Sequence, residues 1–121
     1  MDMDQLIRLL PQAMPEGKCE NTAPEIRFIQ AGCELLLKEA LDVESTDFCF
    51  SETEPGVWYC YFWYWETSTG RLRVSKDGIT VQMTVDDWDT SSSEYAVNDL
   101  ADLRFNVQEC AYDEAVAEHF G

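Results

Sequence analysis

Val57-Trp58-Tyr59-Cys60-Tyr61-Phe62-Trp63-Tyr64-Trp65 is followed, after a short polar interval, by Arg71-Leu72-Arg73-Val74, and after Ser75-Lys76-Asp77-Gly78 by Ile79-Thr80-Val81-Gln82-Met83-Thr84-Val85. Aromatic and β-branched residues of this density read as strands, because they pack well on a pleated surface. Thr67-Ser68-Thr69-Gly70 reads as a turn and Arg71–Val74 as the strand after it. Lys76-Asp77-Gly78 reads as a hairpin turn, since glycine accepts the positive φ such turns need. Ile79, Val81, Met83 and Val85 alternate with Thr80, Gln82 and Thr84, the pattern of a half-buried strand. On the N-terminal side, Ser51 to Gly56 is a polar connection, and Phe48-Cys49-Phe50 is a short earlier strand. The middle of the chain is therefore an antiparallel meander of four strands.

Helices flank it. Asp2 or Asp4 caps a first helix with Leu6, Ile7, Leu9 and Leu10 on its apolar side, ended or bent by Pro11. Residues 11 to 21 then read as a loop. Thr22 and Glu25 have capping-box spacing, and Pro24 suits a first helical turn. Ile26, Ile29, Cys33, Leu36, Leu37 and Ala40 follow at helical spacing. Glu34 and Lys38 form an i,i+4 pair on the other side, and Phe28 and Leu35 widen the apolar surface. After the meander, Ser91 and Glu94 repeat the capping-box spacing. Ala96 or Val97, Leu100, Leu103, Val107, Cys110 and Ala111 fit one helical face, although Phe105 and Val107 also suit a strand. Ala115, Val116 and Phe120 suit a further turn or two. The predicted fold class is α+β: N-terminal helices, a four-stranded antiparallel β-meander, and a C-terminal helix or helices packed on the sheet. No linker or repeat divides residues 1–121, so one domain is expected. A chain of 121 residues buries roughly two-thirds of its unfolded surface, enough for one core.

Charge limits the partners. There are 24 acidic residues and 8 basic ones, a net of −16. Residues 1–76 carry a net of −6. Residues 77–121 carry −10, with Arg104 their one basic side chain. Like charge argues against direct binding of DNA, RNA or an anionic membrane surface, and leaves basic partners. Five cysteines, Cys19, Cys33, Cys49, Cys60 and Cys110, form no Cys-x-x-Cys pair, and an odd count fits reduced thiols in a cytoplasmic protein. The acidic start Met1-Asp2-Met3-Asp4 lacks the basic n-region of a signal peptide.

Catalytic signals are sparse. His119 is the sole histidine and stands two residues from the end, where chains are usually mobile. There is no Gly-rich phosphate loop, and no cofactor is expected. Asp86-Asp87-Trp88-Asp89 is the densest carboxylate run. Asp87, Asp89 and Ser91 have the alternation that opens a calcium loop, but Ser92 and Asn98 stand where glycine and glutamate complete one. No metal site is assigned, and the chain is read as non-catalytic.

Two recognition surfaces are expected. The first is anionic, with Asp86, Asp87, Asp89, Glu94, Asp99 and Asp102 as carriers and Trp88 as an apolar anchor. The second is aromatic. Alternation sends Tyr59, Tyr61, Trp63 and Trp65 to one face of their strand, and Trp58, Cys60, Phe62 and Tyr64 to the other. One face is core, and which one is left open by the strand alone. Arg71 and Arg73 lie across a hairpin, within reach of cation–π contact. The leading expectation is an acidic protein that masks a basic surface of a nucleic-acid-handling protein, imitating the phosphate backbone. In composition alone this is similar to phage anti-defence and anti-CRISPR inhibitors and to nuclease immunity proteins. The alternatives are a generic intracellular interaction domain with incidental acidity, and a small enzyme or divalent-metal protein using Asp86–Asp89.

Overall fold

The computed structural model describes residues 2–41, 43, 46–50, 54–64, 68–85 and 94–108. It is an α+β arrangement. Two helices, α1 (Met3–Ala13) and α2 (Pro24–Leu41), precede a five-stranded sheet of β1 (Thr46–Phe50), β2 (Trp58–Tyr64), β3 (Ser68–Ser75), β4 (Gly78–Val85) and β5 (Tyr95–Ala96). Residues 100–108 form a third helix, α3. The strand order is β1-β2-β3-β4-β5, every neighbour antiparallel. The four expected strands are present, with β5 added at one edge.

Asp2 caps α1, its carboxylate accepting from the Gln5 amide at 2.8 Å. Pro11 does not end the helix, which continues to Ala13. In the last turn the missing proline N–H costs one hydrogen bond only. α2 begins at Pro24, and the Ala23 carbonyl accepts from Arg27 N at 2.9 Å. Thr22 therefore falls one residue short of the capping position. The stripe Ile26, Ile29, Cys33, Leu36, Leu37 and Ala40 is buried as expected. Phe28 and Leu35 are exposed, because α2 packs against α1 and β2 along that one stripe. Glu34 makes no ion pair with Lys38; it accepts from the Thr46 hydroxyl at 3.2 Å and so ties α2 to β1.

Ser75 and Gly78 close the β3–β4 hairpin around Lys76-Asp77, with Gly78 at φ 134°. The Asp77 amide donates to Ser75 Oγ, and Lys76 Nζ reaches Glu16 Oε1 at 2.8 Å. Of the turn expected at Thr67–Gly70, Ser68, Thr69 and Gly70 belong instead to β3, and Thr67 lies outside the described residues. Gly70 stands opposite Phe62 and Met83. A Cβ on it would run into the Phe62 ring and the Met83 sulfur. This glycine makes room within the sheet and does not turn the chain.

The C-terminal region differs most from expectation. Glu94 leads into a strand rather than a helix, and Val97 N donates to Ile79 O at 2.9 Å, extending the β4–β5 pairing. The cap of α3 comes later: Asp99 Oδ1 accepts from Asp102 N at 2.7 Å. Val107 is helical and, with Leu103 of the same helix, is buried in the common core. Arg104 donates to the Ala40 and Glu39 carbonyls, placing a cation at the C-terminus of α2, where the helix dipole favours it.

The core has a single side. Trp58, Cys60 and Phe62 of β2, Leu72 and Val74 of β3, and Ile79, Val81 and Met83 of β4 all face the helices. Among the described residues no element covers the opposite face of the sheet.

Candidate functional site

Opposed residues of an antiparallel ladder share a face, so the register composes the open side directly. Tyr61 stands between Asp47 of β1 and Arg71 of β3. Tyr59 stands between Cys49 and Arg73, and Trp63 faces Thr69. Arg71 and Arg73 are opposed in turn by Gln82 and Thr80 of β4. The aromatic row expected from alternation is thus the outward one. Trp63 is 62% exposed and Tyr61 41%, whereas Trp58 and Phe62 on the reverse are 0% and 2%. Trp65 lies outside the described residues.

The two arginines lie along the sheet. The Arg71 guanidinium carbon is 4.7 Å from the centroid of the Tyr59 ring, a cation–π contact made on the diagonal. The same guanidinium reaches Glu94 Oε1 at 4.0 Å. Arg73 reaches Glu54 at 3.9 Å and the Ser75 hydroxyl at 3.5 Å. Pairs this exposed contribute at most about 1 kcal/mol each. Their consequence here is local charge: each cation on the open face already has a carboxylate neighbour. Tyr59 and Tyr61 are in tilted contact at 6.2 Å between centroids.

Two shallow clefts flank Tyr61. One, of about 240 Å³, is bordered by Asp47, Tyr61, Trp63 and Thr69. The other, of about 180 Å³, is bordered by Tyr61, Thr69, Gly70, Arg71 and Gln82. Sites that enclose small molecules usually run to about 300–1,000 Å³. Both clefts beside Tyr61 fall below that range.

The expected anionic surface divides. Asp86, Asp87, Trp88 and Asp89 lie outside the described residues. Glu94 is exposed at the rim of the open face. Asp99 and Asp102 are half-buried at the start of α3, where Asp102 Oδ2 also accepts from Asn98 N at 3.2 Å. Asp4 joins them from α1, accepting from Leu100 N at 2.9 Å. Three carboxylates thus satisfy amides at one helix N-terminus, where the dipole favours negative charge. Asp47 was missed from sequence. Only the β1–β2 register shows that it stands beside Tyr61. Among the described residues no group of three or more His, Cys, Asp or Glu is gathered as metal ligands are, and no helix is long and apolar enough to cross a membrane. Comparison with protein-family models, with curated proteins and with solved structures gives no match.

Proposed function

We propose that this chain is a non-catalytic acidic binding protein that covers a basic surface of a nucleic-acid-handling partner. The observation that carries this reading is the open sheet face, where Trp63 and Tyr61 stand exposed while Trp58, Cys60, Phe62, Leu72 and Val74 on the reverse side are buried. Large aromatic rings with a polar tip are the residues that anchor macromolecular interfaces. The net charge of −16 supplies the sign of the partner, and Asp47, Glu54 and Glu94 bring that sign to the sheet face.

The test is capture from lysate by three immobilised proteins at low and high salt: the parent, Trp63→Ala, and a triple variant with Asp86, Asp87 and Asp89 replaced by Asn. The parent is expected to retain a small set of basic proteins, less at high salt. The triple variant is expected to lose them with a shallower salt dependence, and Trp63→Ala to lose them at both salts. Identical capture by all three ends the reading. One observation favours the alternative of a generic interaction domain with incidental acidity: Asp4, Asp99 and Asp102 are already engaged as helix caps. On that alternative, Trp63→Ala alone abolishes capture and the charge variant does not.

A further inference from the structure

The geometry points to a specific seat for the basic partner, and this inference rests on the reading above: the cleft between Tyr61 and Trp63, bounded by Asp47, receives one arginine or lysine side chain. Three observations converge. The Tyr61 and Trp63 rings project from the same side of β2, two residues apart, and are 41% and 62% exposed. No cation among the described residues lies over either ring, although the neighbouring Tyr59 already carries the Arg71 guanidinium at 4.7 Å. The face therefore holds a guanidinium on one tyrosine and offers two further rings beside it. Asp47, directly opposed to Tyr61, adds a carboxylate at the edge of the same cleft, and no Lys or Arg borders it. A π-face and a carboxylate together recognise a side chain with an apolar stem and a cationic head. The cleft across Tyr61 has Arg71 and Gln82 on its border instead, so it does not duplicate this chemistry.

A single-stranded nucleic acid stacking on the same rings is the competing occupant. It is disfavoured because both arginines on the face have acidic neighbours, Glu94 and Glu54, and Asp47 adds a further negative charge.

The experiment is an NMR titration of the full ¹⁵N-labelled chain with N-acetyl-arginine amide. The Trp63 indole N–H is assigned by its loss in Trp63→Phe. N-acetyl-glutamine amide is the neutral control and a decauridylate strand the nucleic-acid arm. The arginine amide is expected to shift the Trp63 indole and the amides of Asp47 and Tyr61 saturably, while the neutral amide does not. Trp63→Ala is expected to weaken this binding roughly 2- to 30-fold, the range from an exposed to a desolvated cation–π contact. Asp47→Asn is expected to weaken it by roughly 1.5- to 5-fold, as for an exposed ion pair. Asp77→Asn, in the hairpin turn away from the cleft, is expected to leave it unchanged. Equal weakening by Asp47→Asn and Asp77→Asn overturns the seat in favour of diffuse attraction. Equal shifts with the neutral amide overturn it as well, and tighter binding of decauridylate at the same residues replaces it with a stacking platform. If capture of basic proteins depends on Asp86, Asp87 and Asp89 while this titration fails, the cleft falls and the basic-partner reading stands. A successful titration with no basic proteins captured has the opposite meaning.

Discussion

The two faces of β2 are built from nearly the same material and have opposite fates. Trp58, Cys60 and Phe62 are sealed under the helices, while Tyr59, Tyr61 and Trp63 look outward. The strand's own composition does not distinguish them. What decides is the rows they join. Behind Trp58 and Phe62 come Leu72, Val74, Ile79, Val81 and Met83; beside Tyr59 and Tyr61 come Arg71, Arg73, Thr80 and Gln82. A face is core when every strand contributes apolar groups to it. It remains open when one strand contributes aromatics and its neighbours contribute charge.

The most direct way to break this comparison is to truncate adjacent aromatics on opposite faces. Phe62→Ala should cost roughly 3–5 kcal/mol in urea unfolding, because it opens a cavity between the sheet and the helices. Trp63→Ala should change stability by no more than about 0.5 kcal/mol, as an exposed position does. Similar losses from both would mean that the outward row is covered, and the recognition surface would be gone.

Much of the fold was legible because its signals are local. Helical spacing located the buried stripe of α2 down to Leu36, and the alternation of β4 placed Ile79, Val81 and Met83 inward. The orientation of β2 was not legible, for a physical reason. A one-residue slip in strand pairing exchanges the two faces, and the turn read at Thr67–Gly70 did not fix the β2–β3 register. Gly70 encouraged an error there, since a glycine after Thr-Ser-Thr looks like a turn residue. The start of α3 was misplaced similarly: Ser91-x-x-Glu94 has the spacing of a cap but Glu94 leads into β5, and the cap of α3 is made by Asp99 on Asp102. Asp47 could be placed beside Tyr61 only after the β1–β2 register was known.

Gly70 offers a sharper and smaller test of the inner face. Substitution with alanine leaves the backbone conformation accessible, so any cost comes from contact with Phe62 and Met83. Both are almost fully buried and have little room to withdraw. Gly70→Ala should therefore destabilise the protein by about 1–3 kcal/mol, the usual penalty for overpacking. A cost below about 0.5 kcal/mol would show that the inner face yields at this end, and that close packing does not separate the two sides.

The smallest expected effect uses cysteines as native reporters of the same two faces. Cys49 is exposed on the outer side opposite Tyr59, whereas Cys60 and its α2 neighbour Cys33 are fully buried. An alkylating reagent needs thiolate and access. Cys49 should be modified first, with Cys33 and Cys60 reacting on the order of a thousandfold or more slower, through unfolded molecules. Mass spectrometry of timed samples reads the order, and early labelling of Cys60 would reverse the assigned faces. Cys33 adds a pH dependence. The adjoining Cys60 thiol and then burial hold the Cys33 thiol well above its ordinary range. In the unfolded chain the same thiol ionises near about 8.5. Above that pH the unfolded state loses a proton that the folded state keeps, so stability must fall as pH rises toward the folded value. Below it both states are protonated and the contribution is constant. The parent protein should lose more stability between pH 8 and 10 than Cys33→Ala does, each measured against its own value at pH 7. Parallel pH profiles would mean that the Cys33 thiol reaches solvent, and that the seal between α2 and the inner face of β2 is incomplete.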